Sequence, residues 1–233
     1  MQREEQWKQR DGWTWREFVA LLILEFGFVI FVVKHGVQSL YEKWFVSSLY
    51  AGTLTGLTIA IVLLTGLYVI VLRPRRQSWK EVGLRSFPAK DGWRIVSWFL
   101  ILTALSIAAV VITGYFGNTV ENSKTEALKE QVTWFTVLLG ILSAGFVSPV
   151  YEEIFYRGFM YRWLRTRTGI VWGIVISSLI FTAAHYPTLN AMPVNFISGV
   201  IFAWAYERTG SVIPGMIVHG MFNTVAVLLT AFG

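Results

Sequence analysis

Long uncharged runs alternate with short charged ones along this chain. Residues 18–33 are apolar apart from Glu25, 46–72 hold 27 uncharged residues, 95–116 hold 22, and 132–151 hold 20. Between Arg167 and Glu207 lie 39 residues without Lys, Arg, Asp or Glu, and 212–232 are again uncharged. A helix crosses the hydrocarbon core of a bilayer in about 20 apolar residues, so each shorter run reads as one span. The 39-residue run reads as two, bent at HYPTLNAMP (185–193) through Pro187 and Pro193. The pattern predicts an all-α fold, a polytopic transmembrane helix bundle of seven spans. An eighth is added if 73–94 or 117–131 dips into the bilayer. The expected layout is a polar tail at 1–17 and a transmembrane domain at 18–233.

Composition agrees with that pattern. Hydrophobic residues make up 55% of the 233 and charged residues 15%, whereas a soluble domain carries about a quarter charged residues. The absence of cysteine excludes thiol nucleophiles, disulfides and thiolate metal sites. The net charge of +6 lies in the loops between apolar spans, so it points to membrane topology and not to nucleic acid. Counting Lys and Arg in alternate loops gives sixteen on one side (1–17, 73–94, 157–167, 207–211) and four on the other (34–45, 117–131). The positive-inside rule then puts the N-terminus in the cytoplasm and, with seven spans, the C-terminus outside. The first span is expected to be a retained anchor and not a cleaved signal. The basic, tryptophan-bearing stretch 73–94 is expected to lie on anionic headgroups.

Ionisable groups inside spans are costly, so the few present carry the chemical information. They are Glu25, Glu152, Glu153, Arg157, His185 and His219, joined by the polar Asn223. His35 falls in a loop. Glu153 and Arg157 are four apart on one helix face, and so are His219 and Asn223. Glu152 lies about 100° around the helix from Glu153, so the two carboxylates need not do one job. A turn at 165–169 would make the fourth and fifth spans a hairpin, with Glu152 and His185 nearly equidistant from it. At 1.5 Å per residue both stand roughly 25 Å from that turn, and His219 roughly 15 Å from the turn at 208–211. If the arginine-bearing first turn projects further, one Glu, two His and the Asn meet at one level. A Glu beside a His can take a proton from water; a His and an Asn one turn apart can hydrogen-bond an oxyanion. A metal could supply the same activation, since Glu152, His185 and His219 are a plausible zinc set. Either way the chemistry is hydrolysis of an amide or ester at the membrane. Packing roles compete with this reading: histidines that tie helices together, a structural Glu–Arg cluster, Glu25 as a polar contact within the bundle, and Arg162, Arg165 and Arg167 as topology charges.

Three motifs in order resemble a known family. EEIFYRG (152–158) matches Glu-Glu-x-x-x-Arg, FTAAH (181–185) matches Phe-x-x-x-His, and HGMFN (219–223) matches a His followed four residues later by Asn. WKEVGLR (79–85) is similar to a shorter element before the third span. These are the signatures of the CPBP family, the CAAX-protease and bacteriocin-processing (Abi) type of intramembrane protease, with the motif-bearing core at about 132–233. The resemblance implies a glutamate-dependent membrane endopeptidase. Glu152 would activate water with help from His185, and His219 and Asn223 would form the oxyanion site. Glu153 and Arg157 would be a supporting pair, and Phe181 would pack beside the site. A divalent metal such as zinc is an open requirement. The implied partners are the lipid bilayer and a membrane-associated peptide or protein, in a prokaryotic plasma membrane. Two other functions stay in view: a non-proteolytic immunity factor or adaptor on the same scaffold, and a small proton-coupled carrier.

Overall fold

A computed structural model describes residues 12–115, 123–186 and 188–233. Residues 1–11 of the expected tail, 116 at the end of the expected third span, 117–122 of the loop expected after it, and Pro187 of the expected bend lie outside the described residues. The described chain is 86% helix. It runs as α1 (Trp15–Trp44), α2 (Ser48–Arg75), α3 (Ala89–Tyr115), the short α4 (Ser123–Lys129), a continuous stretch Trp134–Ala184, α7 (Leu189–Thr209) and α8 (Ile213–Phe232). Six of these helices are long and apolar enough to cross a membrane. Large apolar side chains such as Phe31, Ile61, Ile107, Val171 and Leu229 are exposed on the outside, the surface expected of a bundle whose solvent is lipid.

The stretch Trp134–Ala184 is 51 residues long, far more than one crossing needs. It breaks at Gly169, whose φ of 85° and ψ of 178° leave the helical region and suit a residue without a Cβ. The two arms, α5 (134–168) and α6 (170–184), fold against each other there, close enough that a Cβ on Gly173 would meet Arg165. The turn therefore falls at the end of the segment expected from sequence.

The arginine-rich end of the bundle is knitted together. Arg165 makes two hydrogen bonds to Glu207 on α7 (3.0 and 2.8 Å), which also accepts from the Tyr161 hydroxyl at 2.7 Å. Arg162 donates to the Glu81 carbonyl, and Arg167 to the carbonyl of Trp13. Trp163 stacks on Phe18 of α1 at 4.0 Å and donates to Thr14 O. Arg162 and Arg165 are thus buried structural ties, more than topology charges. Part of the loop between α2 and α3 is docked as well: Val82 is fully buried, Val212 N–H donates to Gly83 O, and Arg85 Nε donates to Gly210 O. Headgroup contact therefore does not describe all of 73–94.

Gly158 shows how tightly the loop sits. A Cβ there would fall inside contact distance of the Val82 carbonyl, and backbone cannot swing aside as a side-chain tip can. Gly158→Ala is expected to cost about 1–3 kcal/mol, the usual range for overpacking, read as a lowered unfolding midpoint of the purified protein. An unchanged midpoint would mean that the loop docks more loosely than this contact implies.

Candidate active site

Glu152 and Glu153 sit where α5 loosens from regular α-helical turns into wide ones (Glu153–Tyr161). Such widened turns in helices recur at functional sites. His185 terminates α6, with non-helical ψ of 2°. His219 lies on α8, two turns from its start. Glu152, Glu153, Arg157 and His219 are all buried, whereas the His185 side chain keeps 27% of its surface and marks the open side.

The two carboxylates take the two sides of one ring. Glu153 Oε1 lies 3.1 Å from His219 Nδ1 and 3.0 Å from an Arg157 guanidinium nitrogen. Glu152 Oε2 lies 3.8 Å from His219 Nε2 and 4.0 Å from His185 Nε2. A carboxylate paired with arginine can only accept, so His219 Nδ1 carries a hydrogen toward Glu153. His185 Nδ1 stands 2.8 Å from the carbonyl of Phe181, and a carbonyl also only accepts. In either ring Nδ1 is therefore the nitrogen that carries a proton in the neutral tautomer, and both Nε2 atoms face Glu152. Separations of 3.8–4.0 Å are too long for direct hydrogen bonds and are of the kind a bridging water spans.

Aromatic rings wall this cluster. Phe202 stacks on His219, centroids 4.6 Å apart at 21°. Phe181 lies 4.6 Å from the His185 ring, and the Arg157 guanidinium sits 4.1 Å from the Phe181 centroid and 5.0 Å from that of Phe202. The rings replace bulk water around the ion pair and give the cation a polarisable face. Phe202 is absent from the sequence expectations, because one phenylalanine in an apolar span carries no distinguishing signal. Phe202→Leu is expected to destabilise by about 1–2 kcal/mol through the lost ring contacts and to loosen the His219 ring. Thermal unfolding and the histidine side-chain NMR signals would read the two effects; unchanged values of both would deny the stack any role.

The structure brings Glu152, Glu153, Arg157, Phe181, His185 and His219 together. Asn223 shares its α8 face with His219, and its amide nitrogen donates one of its two N–H groups to the Ala144 carbonyl of α5 at 2.8 Å. Glu25 of α1 is also buried, in electrostatic range of Lys34 and Glu152. Two imidazoles and a carboxylate are a zinc donor set by chemical type, so Glu152, His185 and His219 are the side chains that would ligate a divalent cation if drawn together, and the cation would then acidify a water. Among the described residues, no three His, Asp or Glu side chains are grouped to hold one as they stand.

A groove of about 580 Å³ lies between α3, α5 and α8. Phe99, Phe146, Val150, Met216 and Met221 line it, and Pro149 and Gly220 bring it within one to three residues of Glu152 and His219.

Comparison with known proteins points to the same part of the chain. Residues 133–225 match the model of the type II CAAX prenyl endopeptidase Rce1-like family. The chain is 29% identical over 137 residues to the Bacillus subtilis protein named "Putative membrane peptidase YdiL", covering 59% of this chain and 55% of that one. It is 25% identical over 142 residues to the membrane-embedded CAAX protease MroQ of Staphylococcus aureus, covering 58% and 56%. It is 32% identical over 96 residues to an uncharacterized 24.3 kDa protein of Escherichia coli, covering 40% and 44%. The matches span about half the length of these relatives. No solved structure matches the chain.

Proposed function

We propose, from the match of residues 133–225 to the type II CAAX prenyl endopeptidase Rce1-like family, that this chain is a membrane protease of the CPBP type and that it hydrolyses a peptide bond of a membrane-associated protein or peptide with water activated by Glu152. The observation that carries this reading is the convergence of Glu152 Oε2 on two Nε2 atoms, each fixed by a hydrogen bond behind it.

In this reading a water sits between Glu152 and the two rings. Glu152 takes its proton as the water oxygen bonds to the carbonyl carbon, and the C=O π pair moves to oxygen. The tetrahedral oxyanion needs donors. His219 in its protonated form keeps one N–H on Glu153 and presents the other on Nε2, and it brings Glu152, Glu153, Arg157 and itself to zero net charge. Glu153 then supports the imidazolium as a buried carboxylate supports a catalytic histidine elsewhere. Collapse breaks the C–N bond, and the proton held by Glu152 passes to the leaving amine. His185 shares the water; Asn223 keeps a second amide N–H for the oxyanion while the first stays on Ala144. The apolar groove beside Pro149 and Gly220 suits the uncleaved apolar part of a substrate. The arginine-rich end faces the cytoplasm of a prokaryotic plasma membrane, as the basic loops favour.

The test compares membrane and secreted peptides from cells that carry the wild-type chain or Glu152→Gln. Cleavage products are expected only with wild type, and intact precursors should accumulate with the variant. Identical peptide sets from both would overturn the protease reading and favour a non-proteolytic membrane adaptor.

A further inference from the structure

The family match begins at residue 133, yet two side chains of α1 reach into the site it encloses. Over Ile23–Val37 the turns of α1 are wide; the Gln38 N–H bonds to the Val33 carbonyl, five residues back. Nine residues of a regular helix make two and a half turns and would put Glu25 and Lys34 on opposite faces. Wider turns carry both toward the bundle, and Leu21, Glu25, Val29 and Val33 form a buried stripe at every fourth position.

Lys34 Nζ donates to the carbonyl of Ala184 at 2.9 Å. Ala184 is the last helical residue of α6, and His185 follows it. Final-turn carbonyls have no helical partner, and a cation there also meets the negative end of the helix dipole. Glu25 reaches the same histidine by another route. Its buried carboxyl lies near enough to Tyr156 to act on it electrostatically. The Tyr156 ring packs edge-on against Phe181 at 5.2 Å, and Phe181 lies against the His185 ring. Keeping a carboxyl only 3% exposed within a span costs a few kcal/mol on lenient scales, and a packing contact alone does not require it.

We infer that α1 is a positioning element of the active site: Lys34 fixes the helix end that carries His185, and Glu25, through Tyr156 and Phe181, fixes the face of its ring. The inference rests on the proposed function only in taking His185 as the group worth holding. It assigns a task to a span outside the matched region, and it predicts that α1 cannot be exchanged for an arbitrary anchor.

The experiment does not require a substrate. The full chain in phospholipid nanodiscs is treated with diethylpyrocarbonate, and modification of His35, His185 and His219 is followed by mass spectrometry. His35, exposed on helix α1 and not in the loop expected from sequence, is the internal reference. Lys34→Met is expected to change the rate at His185 relative to His35 by roughly fivefold or more, the shift in population that one lost hydrogen bond of ordinary net strength permits. Lys34→Arg should restore it, and Glu25→Gln, a nearly isosteric change that keeps the fold, should shift it in the same direction by less. The His219 rate should stay as in wild type. An unchanged His185 rate in both Lys34→Met and Glu25→Gln would overturn the proposal. So would parallel changes at His185 and His219 with a lowered unfolding midpoint, the mark of general loosening. Cleavage assays on the same samples keep the two readings apart: a shifted His185 rate with no effect of Glu152→Gln on cleavage would leave the positioning role standing and remove the protease mechanism.

Discussion

Glu152→Gln is expected to insert and fold as the wild type does and to lose peptide hydrolysis by about a thousandfold or more, within the range that positioned acid–base groups contribute. Glutamine fills the same volume and keeps a carbonyl oxygen facing the two Nε2 atoms, so the packing around the site is preserved. What it cannot do is take a proton at neutral pH. Glu153 is poorly placed to substitute, because its Oε1 is held by Arg157 and by the far nitrogen of His219. Bulk water is no substitute either, since Glu152 is only 6% exposed. The measurement is initial rate, in detergent or nanodiscs, on a precursor that accumulates in cells carrying the variant. Activity within tenfold of wild type would remove Glu152 as the base and shift attention to the histidines.

Arg157→Met is expected to give the largest loss of stability, about 3–5 kcal/mol, because it leaves a buried carboxylate without its cation. Glu153 is fully buried, and the guanidinium beside it is itself held between the rings of Phe181 and Phe202. Methionine fills much of the volume but supplies no charge. The double change Glu153→Gln with Arg157→Met should recover part of the loss, since removing both members of a buried pair is often nearly neutral. The glutamine can still accept from His219 Nδ1. Unfolding of the purified variants by denaturing detergent would compare all three. A small cost for the single change would mean that water reaches Glu153 more freely than its burial indicates.

The polar residues of the candidate site were legible because a bilayer makes each one costly. Glu152, Glu153, Arg157, His185 and His219 stand out in spans that otherwise carry almost no charge, and the separations from the hairpin turn set Glu152 and His185 at one height. The packing around them was not legible. Phe202 is one aromatic among many, and its contact with His219 depends on how α7 lies against α8. Asn223 shares the His219 face as its spacing requires, but spacing is silent on which acceptor its amide finds, here Ala144 O. Arg162 and Arg165 count as loop charges in a topology sum, yet they are buried against Glu81 and Glu207. Lys34 counts the same way until its partner, 150 residues away, is known.

By itself the sequence determined the solvent, the helical class and the residues able to do chemistry. Those follow from local composition: apolar length sets a span, and an ion inside one requires a reason. Only the tertiary structure decided that the two adjacent carboxylates address opposite nitrogens of one imidazole, that aromatic rings enclose their arginine, and that the first span braces the end of α6. Those are contacts between segments far apart in the chain, fixed by the rotation and tilt of each helix against its neighbours, and periodicity along a single helix does not contain that information.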